Sequence, residues 1–258
     1  MSEENARFVW FDLMTTDVKG AESFYTDIIG WKAATWQEGH YDLWKAGDED
    51  VGGVMPLDDQ ARAAGAPPQW LAYIATRDVD ATVQKAKKLG GKVLAPPTDI
   101  PNVGRYAMLA DPQGASFGVF QARHLPAPED AAKPGHFGWA ELNTTDWKAA
   151  WKFYSDLFGW KHTTSMDMGP DHGEYFMFGL DEKQAFGGMS NSASVMHARP
   201  HWLHYVNVKN ADETAKRVTE KGGQGLQGPM DVPGGGRIAQ CLDPQGARFA
   251  VFSPTTQR

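Results

Sequence analysis

This sequence of 258 residues has one cysteine, no apolar run approaching a membrane span and no cluster of lysine or arginine. Each scarcity excludes something. A single thiol builds neither a disulfide framework nor a thiolate metal cluster, and it suits a reducing cytoplasm. A bilayer-crossing helix needs about 20 consecutive apolar residues. The amino-terminal MSEENAR carries two glutamates where a secretory leader has lysine or arginine ahead of an apolar block. A net charge of −7 without a basic patch argues against nucleic acid or an anionic membrane as partner. What is plentiful points to a folded protein: 41% apolar residues and ten tryptophans suffice for a large core.

The chain is a tandem duplication. FVWFDLMTTDVKGAESFYTDIIGWK at 8 to 32 returns as FGWAELNTTDWKAAWKFYSDLFGWK at 137 to 161, with 14 of 25 positions identical at an offset of 129. PNVGRYAMLADPQGASFGVF at 101 to 120 returns at 233 to 252, now at an offset of 132. The reading is two domains, 1 to 122 and 137 to 258, joined by a proline-bearing linker at 123 to 136.

Within each half the pattern alternates between periods of two and 3.6. Residues 7 to 14 read as a strand with Val9, Phe11 and Leu13 on one face and Trp10, Asp12 and Met14 on the other. Thr16 or Asp17 caps a helix in which Ala21, Phe24, Tyr25 and Ile28 recur at helical spacing until Gly30. Three short strands follow. A second unit begins near Trp70, with Asp78 or Asp80 as helix cap and Gly90 and Gly91 as its stop. The layout is βαβββ four times, an α+β protein.

That layout, with FYxDxxGWK at a helix end, Asp-x-Asp before the second helix, GG after it and DPQGA before the last strand, resembles the vicinal oxygen chelate superfamily of glyoxalases, extradiol dioxygenases and bleomycin resistance proteins. The resemblance covers nearly the whole chain. It implies paired βαβββ units forming an incomplete barrel of eight strands around a cavity, with a divalent metal on His, Glu or Gln. The metal positions the family implies fall here on Trp10 and Trp139, near Leu71 and Leu203, and on Gly118 and Ala250. None of these offers a ligating side chain. No cofactor is therefore expected. The alternative is a divalent ion on relocated ligands, His204, Glu141 and His162, in 2-His-1-carboxylate fashion.

Strand alternation puts Asp12 and Glu141 on the face of Trp10 and Trp139. Either carboxylate suits a general base on a bound carbonyl compound, or it is a structural, arginine-paired group. Arg105 and Arg237 are anchors for an anionic substrate or members of structural ion pairs. Trp202, flanked by His201 and His204, is a candidate substrate contact with Tyr205. The aromatic residues, Trp36, Trp44, Trp70, Tyr73 and Tyr175 among them, line cavities or fill cores. VGGV and FGGM suit close strand packing, Cys241 suits a buried inert thiol, and His172 lies in a polar loop.

The expected protein is a cytoplasmic monomer or homodimer that binds a small organic molecule. It is a metal-independent lyase or isomerase using Glu141 or Asp12, or a non-catalytic binding or resistance protein. The second half is the favoured location, because Glu141 reaches one methylene further than Asp12. His201, His204 and Tyr205 also stand there, where the first half has Gln69, Ala72 and Tyr73.

Overall fold

The computed structural model describes residues 6 to 37, 41 to 63, 65 to 124, 133 to 170 and 173 to 254. The MSEEN start, His40, His172 and most of the expected linker lie outside these residues. The first βαβββ comprises β1 (Phe8–Thr15), α1 (Val18–Ile29), β2 (Lys32–Gln37), β3 (Tyr41–Ala46) and β4 (Glu49–Pro56). A short α2 (Asp59–Ala63) precedes the second: β5 (Gln69–Ala75), α3 (Val79–Lys88), β6 (Lys92–Ile100), β7 (Gly104–Ala110) and β8 (Ser116–Ala122). The third is β9 (Phe137–Asn143), α4 (Trp147–Phe158), β10 (Lys161–Asp167), β11 (Glu174–Gly179) and β12 (Ala185–Ser190). After α5 (Ser192–Val195) comes the fourth, β13 (His201–Asn207), α6 (Ala211–Glu220), β14 (Gln224–Asp231), β15 (Arg237–Leu242) and β16 (Arg248–Ser253). Among the described residues, the short α2 and α5 are the elements not expected from the pattern.

The helices begin and end as their sequences dictate. The Asp17 carboxylate accepts from Gly20 N and the Asp146 carboxylate from Lys148 N and Ala149 N, each satisfying first-turn amides that have no helical partner. Gly30 and Gly159 close α1 and α4 at φ 90° and 79°, a left-handed backbone that glycine adopts without strain.

The strands form two open eight-stranded sheets, in the orders β2-β3-β4-β1-β5-β8-β7-β6 and β10-β11-β12-β9-β13-β16-β15-β14. The sheets follow the sequence halves. The packing units do not: one compact unit takes most of the second and third βαβββ segments, the other most of the first and fourth. In the former, Val83, Leu109 and Phe117 share a core with Leu142, Phe153 and Trp160. In the latter, Leu13, Phe24 and Trp31 share one with Val218, Cys241 and Phe249. The reason lies in the helices, since α3 packs along α4 and α1 along α6.

Each unit carries the same buried relay. Trp202 Nε1 donates to Tyr154 Oη at 3.0 Å, and Tyr154 donates to Asp111 Oδ2 at 3.2 Å. Likewise Trp70 Nε1 donates to Tyr25 Oη at 2.9 Å, and Tyr25 to Asp243 Oδ2 at 3.2 Å. The other Asp111 oxygen accepts from the amides of Gln113, Gly114 and Ala115. The FYxD and DPQGA signatures are therefore two ends of one scaffold contact. Tyr154→Phe should strand both the Trp202 N–H and an Asp111 oxygen, lowering stability by about 1–3 kcal/mol in urea unfolding.

Cys241 is buried in the second of these cores, and burial pushes its thiol up to about 12. Almost no thiolate exists near neutral pH, so a disulfide-exchange reagent at pH about 8 should leave the native protein unmodified. One equivalent should react once the chain is unfolded in denaturant. Rapid stoichiometric labelling of the native protein would contradict this burial.

Candidate functional site

On the first half's β1, Trp10, Asp12 and Tyr41 form a closed triangle. Trp10 Nε1 donates to Asp12 Oδ1 at 2.9 Å and to Tyr41 Oη at 2.7 Å, and Tyr41 donates to the same Asp12 oxygen at 2.6 Å. Asp12 is 5% exposed. Burial, then the Asp12 charge and hydrogen bond, hold the Tyr41 phenol protonated far above its ordinary range. The expectation that Trp10 and Asp12 share a face thus agrees with the geometry, while Leu13 lies in the helix-side core.

The second half repeats the parts in a looser chain. Trp139 Nε1 donates to Tyr175 Oη at 2.9 Å, Tyr175 to Glu141 Oε2 at 3.1 Å, and Asn143 Nδ2 to Glu141 Oε1 at 3.1 Å. Glu141 is half-buried. Its extra methylene carries the carboxylate past the indole, so the tyrosine relays between them.

Tyrosine at this point was missed for the first half; Asn143 falls on the face of Trp139 and Glu141 by strand alternation, but its bond to Glu141 was not expected. The signal was present in the glycine pairs. A side chain on Gly53 would run into Tyr41 and Asp12, and one on Gly188 into Tyr175. Each glycine pairs with the carboxylate residue itself, Gly53 with Asp12 and Gly188 with Glu141. VGGV and FGGM therefore make room for the tyrosine rings, beyond close strand packing alone.

Other expected contacts fall elsewhere. Trp202 and His204 lie on the helix-covered face of β13: Trp202 belongs to the Tyr154 relay, and His204, 1% exposed, stands edge-on to Phe11 at 5.3 Å between ring centroids. The same alternation that places Glu141 puts 202 and 204 opposite 203 and 205, and the repeat pairs Trp202 with Trp70, whose indole has the identical role. Tyr205 is on the other face, with its hydroxyl accepting from Gln240 Nε2 at 3.0 Å. His201 Nδ1 is 2.9 Å from the Arg199 carbonyl, and His162 stacks on Phe176 at 4.3 Å.

Arg105 forks onto Asp80 and Asp99, and Arg237 onto Asp212 and Asp231, tying a strand end to a helix start. The arginine beside each holds the Asp80 and Asp212 carboxyls below the usual range. An open depression of about 510 Å³ near the end of α1 and the start of α6 shares no lining residue with either carboxylate cluster.

The residues at the superfamily's metal position offer no ligand set. The indole N–H groups of Trp10 and Trp139 are spent as donors to tyrosine, and Leu71 and Leu203 are apolar. The space that a side chain on Gly118 would need is filled by the Tyr73 ring, and Ala250 lies opposite Tyr205 in register. Among the described residues no three His, Cys, Asp or Glu side chains converge as an ion would require. These donors do not fit a divalent cation.

A sequence profile described as Glyoxalase/Bleomycin resistance protein/Dioxygenase superfamily matches residues 7 to 119 and 135 to 251. The chain belongs to that superfamily. It is 36% identical over 96% of its length to "Putative glyoxylase CFP32" of Mycobacterium tuberculosis, covering 95% of that protein. It is 32% identical to the anthracycline biosynthesis protein DauV of a Streptomyces species, over 94% of this chain and 91% of the relative. The superfamily fold appears in the Mn(II)-bound glyoxalase from Novosphingobium aromaticivorans, at a TM-score of 0.64 and 18% identity over 97% of this chain and 82% of that one. It also appears in a homoprotocatechuate 2,3-dioxygenase from B. fuscum, at a TM-score of 0.67 and 13% identity over 98% and 72%. At such identities the likeness concerns the fold alone.

The Tyr73 placement is testable. Gly118→Ala should overpack against the ring and lower stability by about 1–3 kcal/mol. Gly225→Ala is the control, since a methyl group there meets nothing within 4 Å, and it should stay within about 0.5 kcal/mol of the parent.

Proposed function

We propose that this superfamily member binds a small, ring-bearing carbonyl compound beside Glu141 in its second half, and that Glu141 acts as general base without a metal. The contrast between the two carboxylates carries the reading. Asp12 is buried and accepts from two donors on one oxygen, whereas Glu141 is half-buried and accepts from Tyr175 on one oxygen and from Asn143 on the other. In the step proposed, Glu141 takes a proton from the carbon next to the carbonyl, and the C–H electron pair moves onto the carbonyl oxygen as an enolate. Return of that proton to another position gives an isomerase, and loss of a leaving group gives a lyase. Trp139 and Tyr175 supply ring surface for the ligand. The anthracycline biosynthesis relative supports a ligand with fused rings.

A second reading, binding without turnover, has an observation of its own. The Asn143 amide and the Tyr175 hydroxyl hold the Glu141 carboxylate in place, which suits a fixed polar contact for a ligand. In either reading the protein works in the cytoplasm, as monomer or homodimer, without nucleic acid or membrane as partner. The net charge of −7 supports the exclusion of nucleic acid and anionic membrane as partners. No helix among the described residues is long and apolar enough to cross a membrane.

The test is a thermal-shift screen of hydroxyquinones and 2-oxoaldehydes, followed by titration of the best binder. Glu141→Gln should weaken binding or abolish turnover by at least about tenfold, a loss of roughly 1.4 kcal/mol, while Asp12→Asn leaves both intact. Exchange of the carbon-bound proton with deuterium, followed by NMR, separates base catalysis from binding alone. If Asp12→Asn abolishes binding and Glu141→Gln does not, the site is in the wrong half. Elemental analysis of protein purified without chelator should find no stoichiometric divalent ion, and finding one would overturn the metal-independent reading.

A further inference from the structure

The two copies of the Trp–Tyr–carboxylate cluster differ in what stands beside the tyrosine. In the first half it is Trp36, 46% exposed, whose ring lies 5.7 Å from that of Tyr41 at an interplanar angle of 77°. A register shift between Thr35 and Gln37 in the β2–β3 pair falls on this tryptophan, and such a bulge re-aims the side chain it carries. At the offset of 129 the second half has Ser165, and Met166 is the residue opposite Tyr175. The fold therefore does not need a ring here.

We infer that Trp36, Tyr41 and Trp10, backed by Asp12, form a site for the ammonium group of a small organic cation in the first half. Trp36 and Tyr41 pack edge to face, almost perpendicular, and an ammonium within about 6 Å of such ring faces is attracted by their electron density. Tyr41 donates its proton to Asp12 at 2.6 Å, which makes its ring more electron-rich and sets a carboxylate charge behind it. Trp10 closes the group through its N–H to both partners. Lys45, the lysine on β3, is already ion-paired with Asp50. The net charge of −7 also favours a cation over an anion. The second half lacks the exposed tryptophan and keeps its carboxylate half-open, so the copies serve different ligand groups. This inference stands apart from the proposal for Glu141.

The experiment is an NMR titration of the full chain with tetramethylammonium chloride, reading the indole N–H resonances of Trp10 and Trp36. Sodium chloride at equal ionic strength and tert-butanol, uncharged and of similar bulk, serve as controls. The expected result is a saturable shift of both indoles with the ammonium salt alone. Trp36→Ala, a change at an exposed position that spares the fold, should weaken that binding about tenfold. Tyr41→Phe keeps the ring but loses the bond to Asp12, and should weaken it less. Glu141→Gln should change nothing, which separates this site from the second half. Equal shifts from tert-butanol, the absence of saturation, or an unchanged affinity in Trp36→Ala would each overturn the inference.

Discussion

A buried carboxylate is the constraint on which each packing unit depends. Removing such a charge from water is costly unless its oxygens are filled with donors. Asp111 and Asp243 each turn the DPQGA corner by accepting its backbone amides, and each takes its remaining donor from a helix tyrosine. Burial still raises both carboxyls above their ordinary range, and desolvation outweighs the hydrogen bonds in each case. The tyrosine in turn accepts the tryptophan indole of the neighbouring strand. One polar line thus fixes a turn, a helix and a strand at once. None of its members can change alone without leaving a buried partner unmet.

While the helix-covered face is tied by this relay, the opposite face of each sheet carries the carboxylate clusters. The glycines illustrate the division. Gly52 lies against the Phe11 backbone, where a side chain would collide with a carbonyl, so it serves the sheet. Gly53, one residue on, faces the other way and leaves its space to Tyr41. A pair of adjacent glycines on a strand therefore answers two demands, one from each face. Gly118 belongs to the second kind, where an aromatic ring takes the volume that a ligating side chain would fill.

Much of this was legible in the residues and some was not. The four βαβββ segments followed from the repeat, the caps at Asp17 and Asp146 and the stops at Gly30 and Gly159. The face shared by Trp10 and Asp12 followed from strand alternation. The same rule applied to β13 sends Trp202 and His204 to the core, although the superfamily's middle ligand position falls beside them at Leu203. Tyr41 escaped because the loop after β2 differs in length from that after β10, so the offset of 129 does not align Tyr41 with Tyr175. The pairing of α1 with α6 and of α3 with α4 could not be read at all. The four apolar helix faces are chemically alike, and nothing in their pattern names a partner.

The divergence of the two carboxylate clusters reduces to small changes with large geometric effect. Asp12 is short enough for one oxygen to meet both the indole and the phenol, which closes the triangle and buries it. At the equivalent position Glu141 is one methylene longer, and Met14 is replaced by Asn143, which supplies a donor from the next position on the same face. The indole then reaches the carboxylate only through Tyr175. A closed triangle trades access for an electron-rich aromatic wall, and an open chain trades rigidity for a reachable oxygen. Duplication lets one chain keep both, because the scaffold relay beneath each cluster is identical and indifferent to which version it carries.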